Sequence, residues 1–98
     1  MTLPVHWRAN ARDDLAAIVA YVADRDPQAA RRLKARLESA PLPLAEHPYL
    51  YPAGRVPGTR ELVAHPNYLI AYRVMAERVE VIAVVHTRRQ YPPTSGVS

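Results

Sequence analysis

The stretch Gly58–Tyr91, GTRELVAHPNYLIAYRVMAERVEVIAVVHTRRQY, decides the fold. Two apolar runs inside it, Tyr68–Val74 and Val79–Val85, are rich in β-branched and aromatic residues, which suit a pleated, half-buried surface. Between them stand Ala76, Glu77 and Arg78, a polar break short enough for a hairpin. A third run, Thr59–Ala64, precedes them across His65, Pro66 and Asn67. Pro66 cannot donate to a ladder, and Asn67 tolerates a left-handed backbone. The reading is three consecutive antiparallel strands. In the last of them Val79, Val81, Ala83 and Val85 alternate with Glu80, Ile82, Val84 and His86. Its middle is therefore apolar on both faces, and the strand is expected at the centre of its sheet.

Upstream, Leu3–Trp7 reads as a short first strand, with Leu3, Val5 and Trp7 alternating against Pro4 and His6. Pro4 places it at an edge or at its very beginning. From Asn10 the period becomes helical: Asn10 can cap, Asp13 and Asp14 suit the positive end, and Leu15, Ile18, Val19 and Val22 form one stripe. Tyr21 sits beside that stripe as a half-buried packing residue. Asp26 and Pro27 then cap and open a second helix, with Ala30, Leu33, Leu37 and Ala40 inward and Arg31, Arg32, Lys34, Arg36 and Glu38 on the other arc. The two helices make a helical hairpin. Pro41, Pro43, Pro48, Pro52 and Pro57 mark an ordered loop back to the sheet, within which Leu42 and Leu44 pack as a short turn. The expected fold is α+β: an N-terminal strand, a helical hairpin, then a three-stranded antiparallel meander completing one sheet, with the hairpin on one face. The order of the strands is open. Residues 1–92 are expected to form a single domain and residues 93–98 a disordered tail.

A chain of 98 residues supports one modest core. With no cysteine there is no disulfide framework, thiolate nucleophile or zinc–thiolate site. The start, MTLPVHWRANARDD, has no apolar signal region, and no run approaches the ~18 apolar residues of a membrane span, so a soluble cytoplasmic protein without a membrane partner is expected. Thirteen Lys and Arg against nine Asp and Glu give a net charge of +4, and twelve of the thirteen are Arg, whose planar fork suits phosphate or carboxylate partners. There is no GxxxxGK[ST], GxGxxG or HExxH, and His6, His47, His65 and His86 have no ligand spacing; no metal and no cofactor are expected. What remains is a set of side chains at strand positions and ends: Arg55, Arg60, Arg73, His86, Arg88, Arg89 and Tyr91. In the ordinary reading Arg73 pairs with Glu61 or Glu80 across neighbouring strands, Arg60 pairs with Glu61, and His86 is a structural hydrogen-bonding group. In the functional reading, adjacent antiparallel strands bring several cations to one concave face that meets a phosphate backbone.

The segments ARDDLAAIVAYV, DPQAARRL, LAEHPYLYPAGRVPGTRELV, YLIAYRV and VEVIAVVHTRRQYP follow one another in an order and spacing that resembles the RelE/ParE superfamily of bacterial type II toxin–antitoxin toxins, over Val5–Pro92. The resemblance implies a toxin held inactive by a cognate antitoxin that wraps it, with operator DNA reached only through the antitoxin. It also implies one of two targets, since the superfamily carries two activities on one fold. RelE-like members cleave mRNA in the ribosomal A site without a metal; ParE-like members inhibit DNA gyrase. By resemblance Arg60 matches a basic residue of the nuclease's second strand, Arg89 an Arg after the last strand, and His86 a position where some members have His. Tyr91 lies near the nuclease's C-terminal Tyr, while Leu62 and Leu69 stand where the nuclease has cations. Metal-free RNA cleavage needs a group for the 2′-OH proton, a cation for the developing charge and an acid for the leaving oxygen. The candidate catalytic set is therefore Arg60, Arg73, His86, Arg89 and Tyr91, with weak or no cleavage expected. Leu50, Tyr51, Val56 and Leu62 are the apolar residues expected to form an antitoxin groove. The alternative is a non-toxic, small basic RNA-binding module. Against it, Tyr68 and Tyr72 share a face with Ile70 and Val74, which reads as core under the helices.

Overall fold

The computed structural model describes residues 2–88. The chain runs through β1 (Val5–Trp7), α1 (Ala9–Ala23), α2 (Pro27–Ser39), a 3-10 turn (Leu42–Ala45), β2 (Arg60–His65), β3 (Tyr68–Val74) and β4 (Val79–His86). One four-stranded sheet has the order β1-β4-β3-β2, so β4 is central as expected. The meander is antiparallel throughout. β1 lies parallel to β4, with Val5 opposite Val79 and Trp7 opposite Val81. A parallel pair needs a long connection, and here it runs through both helices, the following loop, β2 and β3. The expected tail, with Arg89 and Tyr91, lies outside the described residues.

α2 is built as its sequence predicts: Asp26 Oδ1 accepts the Ala29 N–H at 3.1 Å, and Pro27 takes the first helical position. α1 is not. Its N-cap is Arg8, which makes no side-chain cap bond, and the expected cap Asn10 lies inside the helix. Asn10 Nδ2 donates instead to the Ile82 carbonyl at 2.6 Å, and one turn on Asp14 Oδ2 accepts the Val84 N–H at 3.0 Å. The cause is tertiary. β1 stops at Trp7, so β4 beyond Val81 has backbone groups with no strand beside them, and these must find other partners.

The core lies between the helices and one face of the sheet. Leu15, Leu33, Leu37 and Leu44 pack on Leu62, Tyr68, Ile70, Tyr72, Val79, Val81 and Val84. Leu42, expected to pack with Leu44, is instead 60% exposed. Two β-bulges set which residues face this core. On β4 the register steps between Ala71↔Ala83 and Tyr72↔Val81, leaving Ile82 as the extra residue. The inward series therefore runs Val79, Val81, Val84 rather than continuing to Ala83 and Val85. On β2 the step lies between Val63 and His65. As a result His65 and His86 both stand opposite Tyr68, with ring centroids 5.7 and 5.3 Å from the tyrosine ring.

Each imidazole also closes a turn. His65 Nδ1 accepts the Asn67 N–H at 3.0 Å, and His86 Nδ1 accepts the Arg88 N–H at 3.0 Å. A nitrogen that accepts carries no proton, so these bonds belong to the neutral imidazoles. Burial, reinforced by the Arg36 charge, pushes His65 below its ordinary pKa.

Two outcomes follow from this packing. Leu37 is 0% exposed and Leu42 60% exposed; in urea unfolding Leu37→Ala loses about 2–5 kcal/mol, whereas Leu42→Ala stays within about 0.5 kcal/mol. For His65 the unfolded chain takes up the proton first as pH falls, so the stability linked to the neutral ring is complete above 6.5 and is lost through the window below it. Between about pH 7.5 and about pH 5.5 the urea midpoint of the wild type should fall further than that of His65→Gln.

Candidate functional site

Because β1 covers only the first half of β4, the edge of β4 from Ile82 to His86 faces α1 instead of a strand. Between them runs a groove of about 1040 Å³, walled by Ile18, Tyr21 and Val22 on α1 and by Ile82, Val84 and His86 on β4. Asn10 and Asp14 mark its polar side. Burial raises the Asp14 pKa, its bond from the Val84 N–H opposes this, and the neighbouring Asp13 charge adds to it. Residues two apart in a strand present their backbone groups to the same edge. His86 therefore shares the edge on which Val84 meets Asp14. Tyr21, expected to be half-buried, is 61% exposed, with the Arg25 guanidinium stacked 4.3 Å from its ring centroid. An apolar wall facing a strand edge is the chemistry of a cleft for a segment of another protein chain.

The sequence-predicted cations do not converge. Arg60 stands opposite Tyr72. Its Nη1 donates to the Tyr51 carbonyl at 2.6 Å, and its guanidinium lies 4.9 Å from the Tyr49 ring centroid. The Tyr72 hydroxyl donates to the Pro48 carbonyl at 3.0 Å, and burial raises its pKa. Arg60 and Tyr72 together pin the proline-rich loop. Arg60 does not pair with Glu61, which instead accepts the Arg55 N–H at 2.9 Å and faces the Arg55 side chain at 3.4 Å.

His86 stands opposite Tyr68, four residues along β3 from Tyr72, a separation of about 13 Å at 3.3 Å per residue. Arg73 belongs to the other face. It stands opposite Glu80, as the cross-strand reading required, yet Glu80 is taken by Arg8 and Arg78. Simple alternation places His86 on the face of Glu80 and Arg73; the bulge at Ile82 transfers it to the helix side. Arg89 and Tyr91 lie outside the described residues.

The expected antitoxin residues also separate. Leu62 is 3% exposed and belongs to the core, Tyr51 packs against that core, Val56 is half-buried, and Leu50 is 57% exposed. None of the four lines the α1–β4 groove. The α1–β4 groove was not anticipated, although β4's two apolar faces and the brevity of β1 were its signals. Among the described residues no cluster of His, Cys, Asp and Glu is placed to hold a metal ion, and no helix is long and apolar enough to cross a membrane.

Residues 5–91 match the model of the family described as the ParE toxin of type II toxin–antitoxin system, parDE. Toxin RelE2 of Caulobacter vibrioides is 40% identical over 85 residues, covering 85% of this chain and 91% of its own length. Toxin RelE1 of the same organism is 34% identical over 95 residues, covering 92% and 99%. Among solved structures, a chain of the chromosomal ParDE system of P. aeruginosa superposes with a TM-score of 0.78 at 19% identity, covering 87% of this chain and 96% of that one. A chain of the RelBE2 toxin–antitoxin complex of Mycobacterium tuberculosis gives 0.58 at 21% identity, covering 88% and 99%. These two likenesses concern the fold; the family rests on the sequence matches, which run from β1 past the end of β4. The chain belongs to the ParE toxin family and is the toxin component of a type II toxin–antitoxin system.

Proposed function

We propose that this toxin arrests growth in the cytoplasm by binding DNA gyrase rather than by cutting mRNA, and that a cognate antitoxin silences it through the α1–β4 groove. The observation that carries the target is the dispersal of Arg60, Arg73 and His86. Cleavage requires donors within hydrogen-bond reach of a single phosphate. Two of these groups lie about 13 Å apart along β3, and the third is on the opposite face of the sheet. Leu62 and Leu69, at the positions where the resemblance puts cations in the nuclease, are 3% and 2% exposed. A gyrase inhibitor needs a binding surface and no such constellation. The RNA-module reading loses its support in the same way, since Tyr68 and Tyr72, at 9% and 0% exposure, offer no stacking platform.

The antitoxin reading rests on the groove. Relatives of this fold are named as a ParDE system and a RelBE2 toxin–antitoxin complex, and in the groove an apolar wall and a strand edge meet.

Two experiments test these readings. Added to purified gyrase, the toxin is expected to block supercoiling, while mRNA on translating ribosomes stays intact. A-site cuts made by the wild type and lost in His86→Ala or Arg60→Ala would establish the nuclease instead. For the antitoxin, Tyr21→Arg at the groove lip is expected to weaken binding of the protein encoded beside the toxin by about tenfold or more in titration calorimetry, with the unfolding midpoint unchanged. Unaltered affinity would place the antitoxin elsewhere.

A further inference from the structure

The face of the sheet turned away from the helices carries a cluster that the groove does not use. His6 of β1, Glu80 of β4 and Arg73 of β3 stand opposite one another in a row across three strands. Arg8 lies two residues beyond His6, and Arg78 two residues before Glu80. Glu80 Oε1 accepts Arg8 Nε and Nη2 at 2.9 and 2.7 Å, and Oε2 accepts Arg78 Nε at 2.8 Å, with Arg78 Nη2 in ion-pair range at 2.6 Å. Three hydrogen bonds and an ion pair on each side hold this carboxylate. The bonds from Arg8 and then Arg78 hold its pKa below the usual range. The Glu80 side chain is 6% exposed, whereas Arg8 and Arg78 are 40% and 51% exposed. The acid is hidden beneath the cations it organises.

Arg73 receives nothing from this arrangement. It is half-buried and, among the described residues, has no carboxylate or carbonyl acceptor. Glu61, two positions from Arg73's register on the same face, is engaged by Arg55. Arg73 Nε lies 3.9 Å from the place a Cβ on the left-handed Gly58, at φ 81°, would occupy, so this glycine stands beside the guanidinium and offers it no side-chain partner. A cation partly withdrawn from water is unfavourable until it meets an anion. Arg8, Arg73 and Arg78 against Glu80 leave two positive charges in excess on this patch.

We propose that this patch is a phosphate-binding site, with Arg73 making the direct contact and Arg8 and Arg78 flanking it, and that its ligand is a nucleic-acid backbone. The guanidinium fork matches phosphate oxygens in bidentate geometry. A single carboxylate from a protein partner would duplicate what Glu80 already does for two of the three arginines. The cluster lines neither the α1–β4 groove nor the smaller pocket beside His65. It lies along a sheet surface, which suits a polymer running across it better than an enclosed small nucleotide. The net charge of +4 draws a polyanion to the chain as a whole. This inference goes beyond the gyrase reading and stands or falls without it, since its test contains neither gyrase nor ribosome.

The test is fluorescence anisotropy of purified toxin with labelled duplex DNA and single-stranded RNA of mixed sequence, from about 50 to about 200 mM salt. Arg73→Gln is expected to weaken binding about tenfold and to reduce the slope of log affinity against log salt by about one. Arg73→Lys keeps the charge and should retain the slope while losing part of the affinity. Arg31→Gln, on the exposed arc of α2, should change neither. Equal losses for Arg31→Gln and Arg73→Gln, or no loss for Arg73→Gln, would overturn the site in favour of diffuse charge. So would displacement of the labelled strands by an acidic peptide at comparable concentration. If Arg73→Gln fails to fold by its thermal midpoint, Arg73→Lys decides: wild-type affinity with lysine overturns the bidentate contact. The DNA and RNA arms identify which backbone is preferred.

Discussion

The free edge of β4 is the constraint on which the rest of the arrangement depends. A three-residue β1 covers β4 only as far as Val81, and the backbone beyond it cannot be left unpaired beside a helix without a penalty of about 1–3 kcal/mol per buried group. The chain resolves this with α1. Asn10 and Asp14, one turn apart, reach sideways to Ile82 and Val84 and fix the helix against the strand. What they leave open is the α1–β4 groove. The side chains that dock α1 are thus the same ones that define the polar side of the cleft.

The two faces of the sheet are chemically distinct. On the helix side the polar groups are tied into the fold: Arg60 and Tyr72 hold the carbonyls of Tyr51 and Pro48, and His65 and His86 close turns beside Tyr68. Such bonds to backbone carbonyls fix a long loop that has few backbone bonds of its own. On the far side the charges are arranged around Glu80, an acid that is inaccessible yet held by two arginines. Removing that carboxylate would leave Arg8 and Arg78 without the anion that holds them. By comparison the exposed Lys34–Glu38 pair at 3.0 Å is worth about 0.3–0.5 kcal/mol and organises nothing. Cation number alone is therefore a poor guide to function in this chain; the position of each cation relative to its nearest carboxylate or carbonyl decides what it can meet.

The sequence by itself determined the element order and placed the boundaries to within one or two residues. β3 falls on Tyr68–Val74 and α2 starts at Pro27, because local periodicity, proline and an Asp cap are properties of short segments. It also identified the face of Tyr68, Ile70 and Tyr72 as core. It misplaced the cap of α1 and the side taken by His86, and it did not show the α1–β4 groove. Each of these depends on a partner distant in the chain: Ile82 and Val84 lie about seventy residues from Asn10 and Asp14. A single extra residue at Ile82 reverses the facing of everything after it, because side chains alternate with a period of two. Tertiary structure alone decided that Arg60, Arg73 and His86 would not meet, since strand register and one bulge, rather than residue type, set which face and which end of the sheet each side chain occupies.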